Sequence, residues 1–291
     1  MGEFYALLCT VIWSFAVILL QRATEKASPI ALNLFRSSVS VPLLFLTLAV
    51  SGTPLFIHAP LRDYVILVVS GILGIAVADT LFHRALQLAG AGVNAIVSTA
   101  YSPLVVLMAF LMIDERLQPL DLVGMVLIMS SLALAATLEP HGTRTRRHLW
   151  RGVAIGILEM IFLAFSIVLA KPVLNHSPVL WATTVRQTGA FIALIVLTLA
   201  SPARRDALAL YRPSSHWRFM VPGAALGSYL SLIFWIAGMK YTQASIAAIL
   251  NQTSTIMIII LAVVFLGEPF TRRKAVAAGL AVAGVLMITL L

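Results

Sequence analysis

GILGIAVADTLFHRALQLAGAGVNAIVSTAYSPL, residues 71–104, returns in outline 153 residues later as AALGSYLSLIFWIAGMKYTQASIAAILNQTSTIM, residues 224–257. The match runs without a gap from 71–131 onto 224–284. Leu73 and Gly74 fall on Leu226 and Gly227, Ala91 on Ala244, Ala95 and Ile96 on Ala248 and Ile249, Ala109 on Ala262, and Glu115 on Glu268. Few residues are identical, so register and shared hydropathy through three predicted helices carry the comparison. Upstream, Ser28-Pro29 recurs as Ser177-Pro178 at an offset of 149, with Arg36 and Arg186 seven and eight residues after the proline. The chain reads as five helices used twice. An odd number of crossings per copy makes the second copy enter from the opposite face, which gives inverted repeats about a pseudo-two-fold axis in the membrane plane.

Composition sets the medium. Of 291 residues 60% are apolar and 11% charged, with a mean hydropathy of +1.00, too little polar surface to dress a water-soluble globule. The expectation is an all-α polytopic membrane protein, since helices satisfy their own backbone where no water is present. A hydrocarbon core about 30 Å thick needs roughly 20 helical residues. Cutting at charge, Pro and Gly clusters predicts ten spans, near 4–21, 29–51, 64–87, 93–113, 119–138, 152–171, 177–200, 219–239, 243–266 and 273–291. The first repeat then covers 1–140, a basic linker 141–151, and the second repeat 152–291. The connections, of which 139–151 and 201–218 are the longest, leave no room for a soluble domain or lid. Met1-Gly2-Glu3 lacks a basic start, so the first apolar run reads as a retained span rather than a signal peptide.

The net charge of +9 lies in short gaps between apolar runs, not on one patch, and so speaks for membrane orientation rather than nucleic acid. Alternate connections hold 14 basic residues against 4, the four being Arg62, Arg116, Lys171 and Lys240. The positive-inside rule puts the richer set in the cytoplasm and both termini outside. The lone Cys9 excludes a disulfide framework and a thiolate metal cluster.

Four motifs in order resemble the drug/metabolite transporter superfamily, specifically its EamA-type members. They are IWSFAVILLQRA (Ile12 to Ala23), ADTLFHRALQLAGAGVNAIVSTAYSPL (Ala78 to Leu104), IDERLQPLDLVG (Ile113 to Gly124) and its echo LGEPFTRRKAVAAG (Leu266 to Gly279). The resemblance covers nearly the whole chain and implies export of amino acids, related metabolites or amphipathic compounds across a prokaryotic inner membrane, by alternating access. The second copy departs from the first at Ile256, where the first has Pro103, and at Ala277, where the first has Gly124.

Ionisable groups inside spans are costly and so are functional candidates. Arg36 lies roughly 10 Å along the second predicted helix, Glu159 roughly 10 Å into the sixth, and Arg186 roughly 13 Å into the seventh. By the predicted topology Arg36, Asp79, His83 and Glu159 fall in the cytoplasmic half and Arg186 in the external half. Either arginine could snorkel to the headgroups or form a structural ion pair, or Arg36 could fork onto a substrate carboxylate or phosphate. Glu159 is paired, protonated or facing a wet cavity where it would attract an ammonium. Asp79 and His83 stand one turn apart, as a proton-coupling pair or as a structural hydrogen bond orienting the third helix. Asn94, Ser98, Tyr101 and Ser102 line one face of the fourth helix, and Asn251, Gln252 and Thr255 cluster on its repeat-mate. Ser98 falls over Asn251 and Ser102 over Thr255. Such faces either converge on a central cavity or serve as interhelical glue, and Trp13, Tyr229 and Trp235 are candidate aromatic walls. The candidate substrate-binding set is therefore Trp13, Arg36, Asn94, Ser98, Tyr101, Glu159, Tyr229, Trp235, Asn251, Gln252 and Thr255.

No HExxH, GxSxG or P-loop occurs, so neither an enzyme nor an ATP-driven pump is expected, and no cofactor or metal. The expected partners are a small-molecule substrate and the lipid bilayer, with the chain a monomer or homodimer. The alternatives are a lipid-handling membrane protein or a non-transporting scaffold.

Overall fold

The computed structural model describes residues 1–24, 27–113, 119–136, 145–201, 204–241 and 244–289, and among them every regular element is a helix. They are α1 (Gly2–Thr24), α2 (Pro29–Ser51), α3 (Leu61–Ala89), α4 (Ala91–Ser98), α5 (Tyr101–Ile113), α6 (Pro119–Ala136), α7 (Arg146–His176), α8 (Val179–Leu199), the short α9 (Arg204–Ala209), α10 (Trp217–Tyr241), α11 (Ala244–Leu266) and α12 (Arg272–Thr289). Among the described residues seven helices are long and apolar enough to cross a bilayer: α1, α2, α3, the stretch Ala91–Met112, α7, α8 and α10.

The helices pair in a repeat-related pattern. α1 packs on α10 and α11, and its counterpart α7 packs on α3, α4 and α5. α2 pairs with its own counterpart α8, and α6 with α12. At the α6–α12 contact a Cβ on Gly284 would stand 2.7 Å from the carbonyl oxygen of Gly124, so the backbones meet directly. Between α2 and α8 the contact is polar: Gln187 donates from Nε2 to Ser40 Oγ (2.8 Å) and Ser37 Oγ (3.2 Å).

Both π-helical segments lie at matching places in the repeat. Ile72–Ala78 widens the middle of α3 and Ala225–Leu230 the middle of α10, in the register set by Leu73-Gly74 and Leu226-Gly227. A π turn displaces backbone carbonyls from their usual partners. In α3, Asn33 of α2 meets them, donating from Nδ2 to Ile75 O at 2.8 Å and Ala76 O at 3.4 Å, as well as to Thr80 Oγ1 at 2.9 Å.

The stretch predicted as one helix over 93–113 is broken. Thr99 and Ala100 form a turn, with Thr99 N donating to Ile96 O (3.1 Å) and Ala100 N to Val97 O (3.0 Å). Pro103 explains it, because its ring crowds the carbonyl four residues back, that of Thr99, and it has no N–H to give. The repeat-mate carries Ile256 instead, and α11 runs through that position unbroken. Two other boundaries move. α7 begins at Arg146, inside the predicted linker, where Thr145 Oγ1 accepts the His148 N–H (3.3 Å). The 201–218 connection holds α9.

Contacts among helix ends sort into two groups. Arg22 donates from Nη2 to Phe265 O at 2.5 Å, and Glu268 meets the start of α4. In the other group Asp63 Oδ2 lies 2.9 Å from His176 Nε2, Trp181 Nε1 donates to Leu55 O at 3.1 Å, Lys171 Nζ to Met239 O at 2.5 Å and Lys240 Nζ to Ser177 O at 2.6 Å.

Candidate functional site

The π segments and the Pro103 break surround one cavity of about 170 Å³. Its walls come from both copies: α1, α2, α3, α4 and α5 supply Trp13, Arg36, Asp79, Ser98 and Tyr101, while α7, α8, α10 and α11 supply Glu159, Arg186, Trp235 and Asn251. Phe82, Met160, Leu163 and Leu232 add apolar surface. Trp13 and Phe82 pack with centroids 5.4 Å apart.

Two arginines and two carboxylates share this small, mostly apolar space. Arg36 and Arg186 are each 1% exposed and Glu159 3%, which corrects the snorkelling alternative: both guanidinia turn into the protein. A glycine lets the backbone at Arg186 come close to α3, since a Cβ on Gly71 would stand 2.1 Å from the Arg186 carbonyl oxygen, and the guanidinium carbon lies 6.0 Å from the centre of the Trp235 ring. The two arginines, expected in opposite halves of the bilayer, line the same cavity because α2 packs on α8.

Asp79 and His83 are organised by a third residue rather than by each other. Asp79 Oδ2 lies 3.6 Å from Arg36 Nη2, and His83 Nε2 contacts Arg36 Nη1. His83 is fully buried behind the cavity, and only Asp79 of the two reaches its lining. The i, i+4 spacing read from the sequence is what lets one guanidinium on α2 engage both.

Among the sequence-derived candidates, Trp13, Arg36, Ser98, Tyr101, Glu159, Trp235 and Asn251 come together around the cavity. Asn94, Tyr229 and Thr255 fall outside its lining. Asn94 is buried toward α7, near Gly156, Tyr229 hydrogen-bonds Thr47 at 2.6 Å through its hydroxyl, and Thr255 donates to Ala95 O at 3.3 Å, holding α11 against α4. Ser102 is likewise buried, and the side chain of Gln252 lies outside the described residues, as does Glu115. Sequence reasoning did not single out Cys9, Thr10, Gln187, Ser228, Ser231 or Ser254, all in the lining. Gln187 had a signal, being a long amide next to Arg186 in an apolar run; the small hydroxyl residues had none.

At one rim, Glu268 closes the two copies together. Its Oε1 accepts the Ala91 N–H at 2.8 Å and its Oε2 the Gly92 N–H at 3.1 Å, while Lys274 Nζ donates to Oε2 at 2.7 Å. Gly267, at φ 66, makes the left-handed turn that ends α11 and aims the carboxylate at α4.

Residues 1–137 and 150–290 each match the model of the EamA-like transporter family. The chain belongs to that family. Members of the EamA-like family are membrane transporters within the drug/metabolite transporter superfamily, and the two matches cover the two copies of the repeat. A solved structure described as a crystal structure of protein is 18% identical, aligns over 99% of this EamA-like chain and 96% of its own, and superposes with a TM-score of 0.71, so the two share a fold. No curated protein matches the sequence.

Proposed function

We propose that this protein is a secondary transporter that exports small organic metabolites, such as amino acids or amphipathic compounds, by alternating access around the central cavity. The observation that carries the reading is a cavity walled by both repeats and lined by two arginines and two carboxylates. Buried charge is expensive unless something compensates it, and a solute taken up between the repeats is that compensation. At about 170 Å³ the space falls below the roughly 300–1,000 Å³ of pockets for drug-sized ligands. Together with its charges, this suits a small polar metabolite better than an acyl chain or a purely structural contact.

The membrane arrangement proposed with it is ten spans in a prokaryotic inner membrane: two inverted five-helix repeats, 1–140 and 152–291, joined by the basic linker 141–151, with both termini outside. The two groups of helix-end contacts support the alternating path. Ends that an alternating ten-span path puts on one side meet one another, and ends it puts on the other side do likewise. Trp13, Arg36, Ser98, Tyr101, Glu159, Trp235 and Asn251 form the substrate-facing set. Asp79 and His83 hold Arg36 in place, and the carrier runs as a facilitator. A proteoliposome uptake screen over amino acids, organic cations and phosphorylated metabolites tests the reading. Saturable flux of one class supports it, and no protein-dependent flux of any class rejects it.

A further inference from the structure

The four charged side chains of the cavity are not equivalent. Arg36 is committed to the protein, with one nitrogen against His83 and another against Asp79. Asp79 lies within Coulombic reach of both arginines, but its direct ion pair is with Arg36. Among the described residues the ion pairs are Arg36–Asp79, His176–Asp63 and Lys274–Glu268, so neither Arg186 nor Glu159 has an oppositely charged side chain within pairing distance.

Both are also short of hydrogen bonds. Arg186 leaves Nε and Nη1 buried without an acceptor, and Glu159 leaves Oε2 buried without a donor. A guanidinium presents a planar fork that matches a carboxylate, and a carboxylate accepts from an ammonium. Both side chains line the cavity, and Trp235 covers the face of the Arg186 guanidinium. Next to Glu159 in the chain, Met160 and one turn on Leu163 join Trp13, Phe82 and Leu232 in the apolar part of the wall.

Resting on the transport reading above, we infer that Arg186 and Glu159 are the two poles of the binding site, holding the carboxylate and the ammonium of a zwitterionic amino acid whose apolar side chain lies along the aromatic and aliphatic wall. Arg36 is held by Asp79 and His83 and is not one of the poles. The bound molecule carries no net charge and neutralises two opposite buried charges at once. That is why neither pole needs a side-chain partner when the site is filled.

The test uses the purified full-length protein and ligands that lack one pole. Leucine is compared with 3-methylbutylamine and 4-methylpentanoate, and phenylalanine with 2-phenylethylamine and 3-phenylpropionate, by calorimetric titration. Removing either pole leaves a buried protein charge unpaired, so each analogue should bind at least roughly tenfold more weakly than its parent. Arg186→Gln should abolish the preference over the amine, and Glu159→Gln the preference over the acid. Should Arg186→Gln fail to elute as a folded species, Arg186→Lys decides, because loss of the fork should weaken the amino acid more than the amine. An analogue that binds as tightly as its parent, failure of both amino acids to bind the folded protein, or equal effects of Arg186→Lys on amino acid and amine overturns the inference. Flux measured in parallel separates it from the broader reading. Transport of amine or acid at the amino-acid rate sinks the two-pole site and leaves a carrier, whereas selective binding with no flux of any solute sinks the carrier and leaves the site.

Discussion

Glu268 at the end of α11 caps the N-terminus of α4 in the other repeat, its Oε1 2.8 Å from the backbone nitrogen of Ala91. The first N–H groups of a helix have no partners within it and carry the positive end of its dipole, so a carboxylate there is doubly favoured. Lys274 completes the charge balance at 2.7 Å, and both side chains are buried, at 7% and 4% exposure. In the repeat register Lys274 falls on Asp121, so the same cap built by the first copy would lack its cation.

Removing the cap should loosen this rim. Glu268→Gln leaves Lys274 buried beside a neutral amide, and breaking a buried pair in this way costs about 3–5 kcal/mol. The thermal midpoint of the detergent-solubilised protein should fall clearly, and Lys274→Met should lower it less, because Ala91 and Gly92 still donate to the carboxylate. Equal midpoints for Glu268→Gln and the unsubstituted protein would show that the contact contributes nothing.

Pro103→Ala should restore the N–H that α5 lacks and relieve the crowding at Thr99. The break between Ser98 and Tyr101 then heals toward one helix, rotating two cavity-lining side chains. Stability should hold or rise while transport falls. An unchanged transport rate in the folded variant would mean that the break is not needed for the site.

Cavity and packing positions on α4, α10 and α11 should separate in a binding assay. Ser98→Leu and Asn251→Leu intrude on the lining and should weaken substrate binding without preventing insertion. Tyr229→Phe and Thr255→Val remove interhelical hydrogen bonds, at about 1 kcal/mol each, and should lower the thermal midpoint while affinity stays. The reverse pattern would reassign the two groups.

With Cys9 replaced by alanine, orientation is open to impermeant thiol labelling of intact cells. A cysteine at the exposed Phe56 or at Leu291 should label, and one at the exposed Ser214 should not. Labelling at Ser214 with none at Phe56 would invert the assigned topology.

His83 touches Arg36 and lies outside the cavity lining, so it makes no direct contact with a bound solute. Flux in proteoliposomes should follow the substrate gradient and ignore an imposed pH gradient. Accumulation driven by the pH gradient that His83→Gln abolishes in folded protein would make the Asp79 and His83 pair a proton-coupling device.

The sequence by itself determined the medium, the all-helical class and the doubling of the chain. Each rests on local properties summed along the chain: apolar runs of bilayer length, charge confined to the gaps, and a register in which Gly74 meets Gly227 and Glu115 meets Glu268. It also picked out Trp13, Ser98, Tyr101, Glu159 and Asn251, because polar or aromatic residues inside apolar runs stand out whatever surrounds them. What it could not decide is which neighbour each of them meets. Arg36 and Arg186 look alike in sequence, each a few residues after a Ser-Pro helix start, yet one is held by Asp79 and His83 while the other lies against Trp235. Asn94 and Ser98 lie one turn apart, and only the second reaches the lining. Those outcomes depend on the rotation of each helix about its axis and on the partner packed across from it, and these were set by contacts such as Gly284 on Gly124 and Gln187 on Ser40, between residues far apart in the chain. Helical periodicity says which residues share a face. Only the packed structure says what that face looks at.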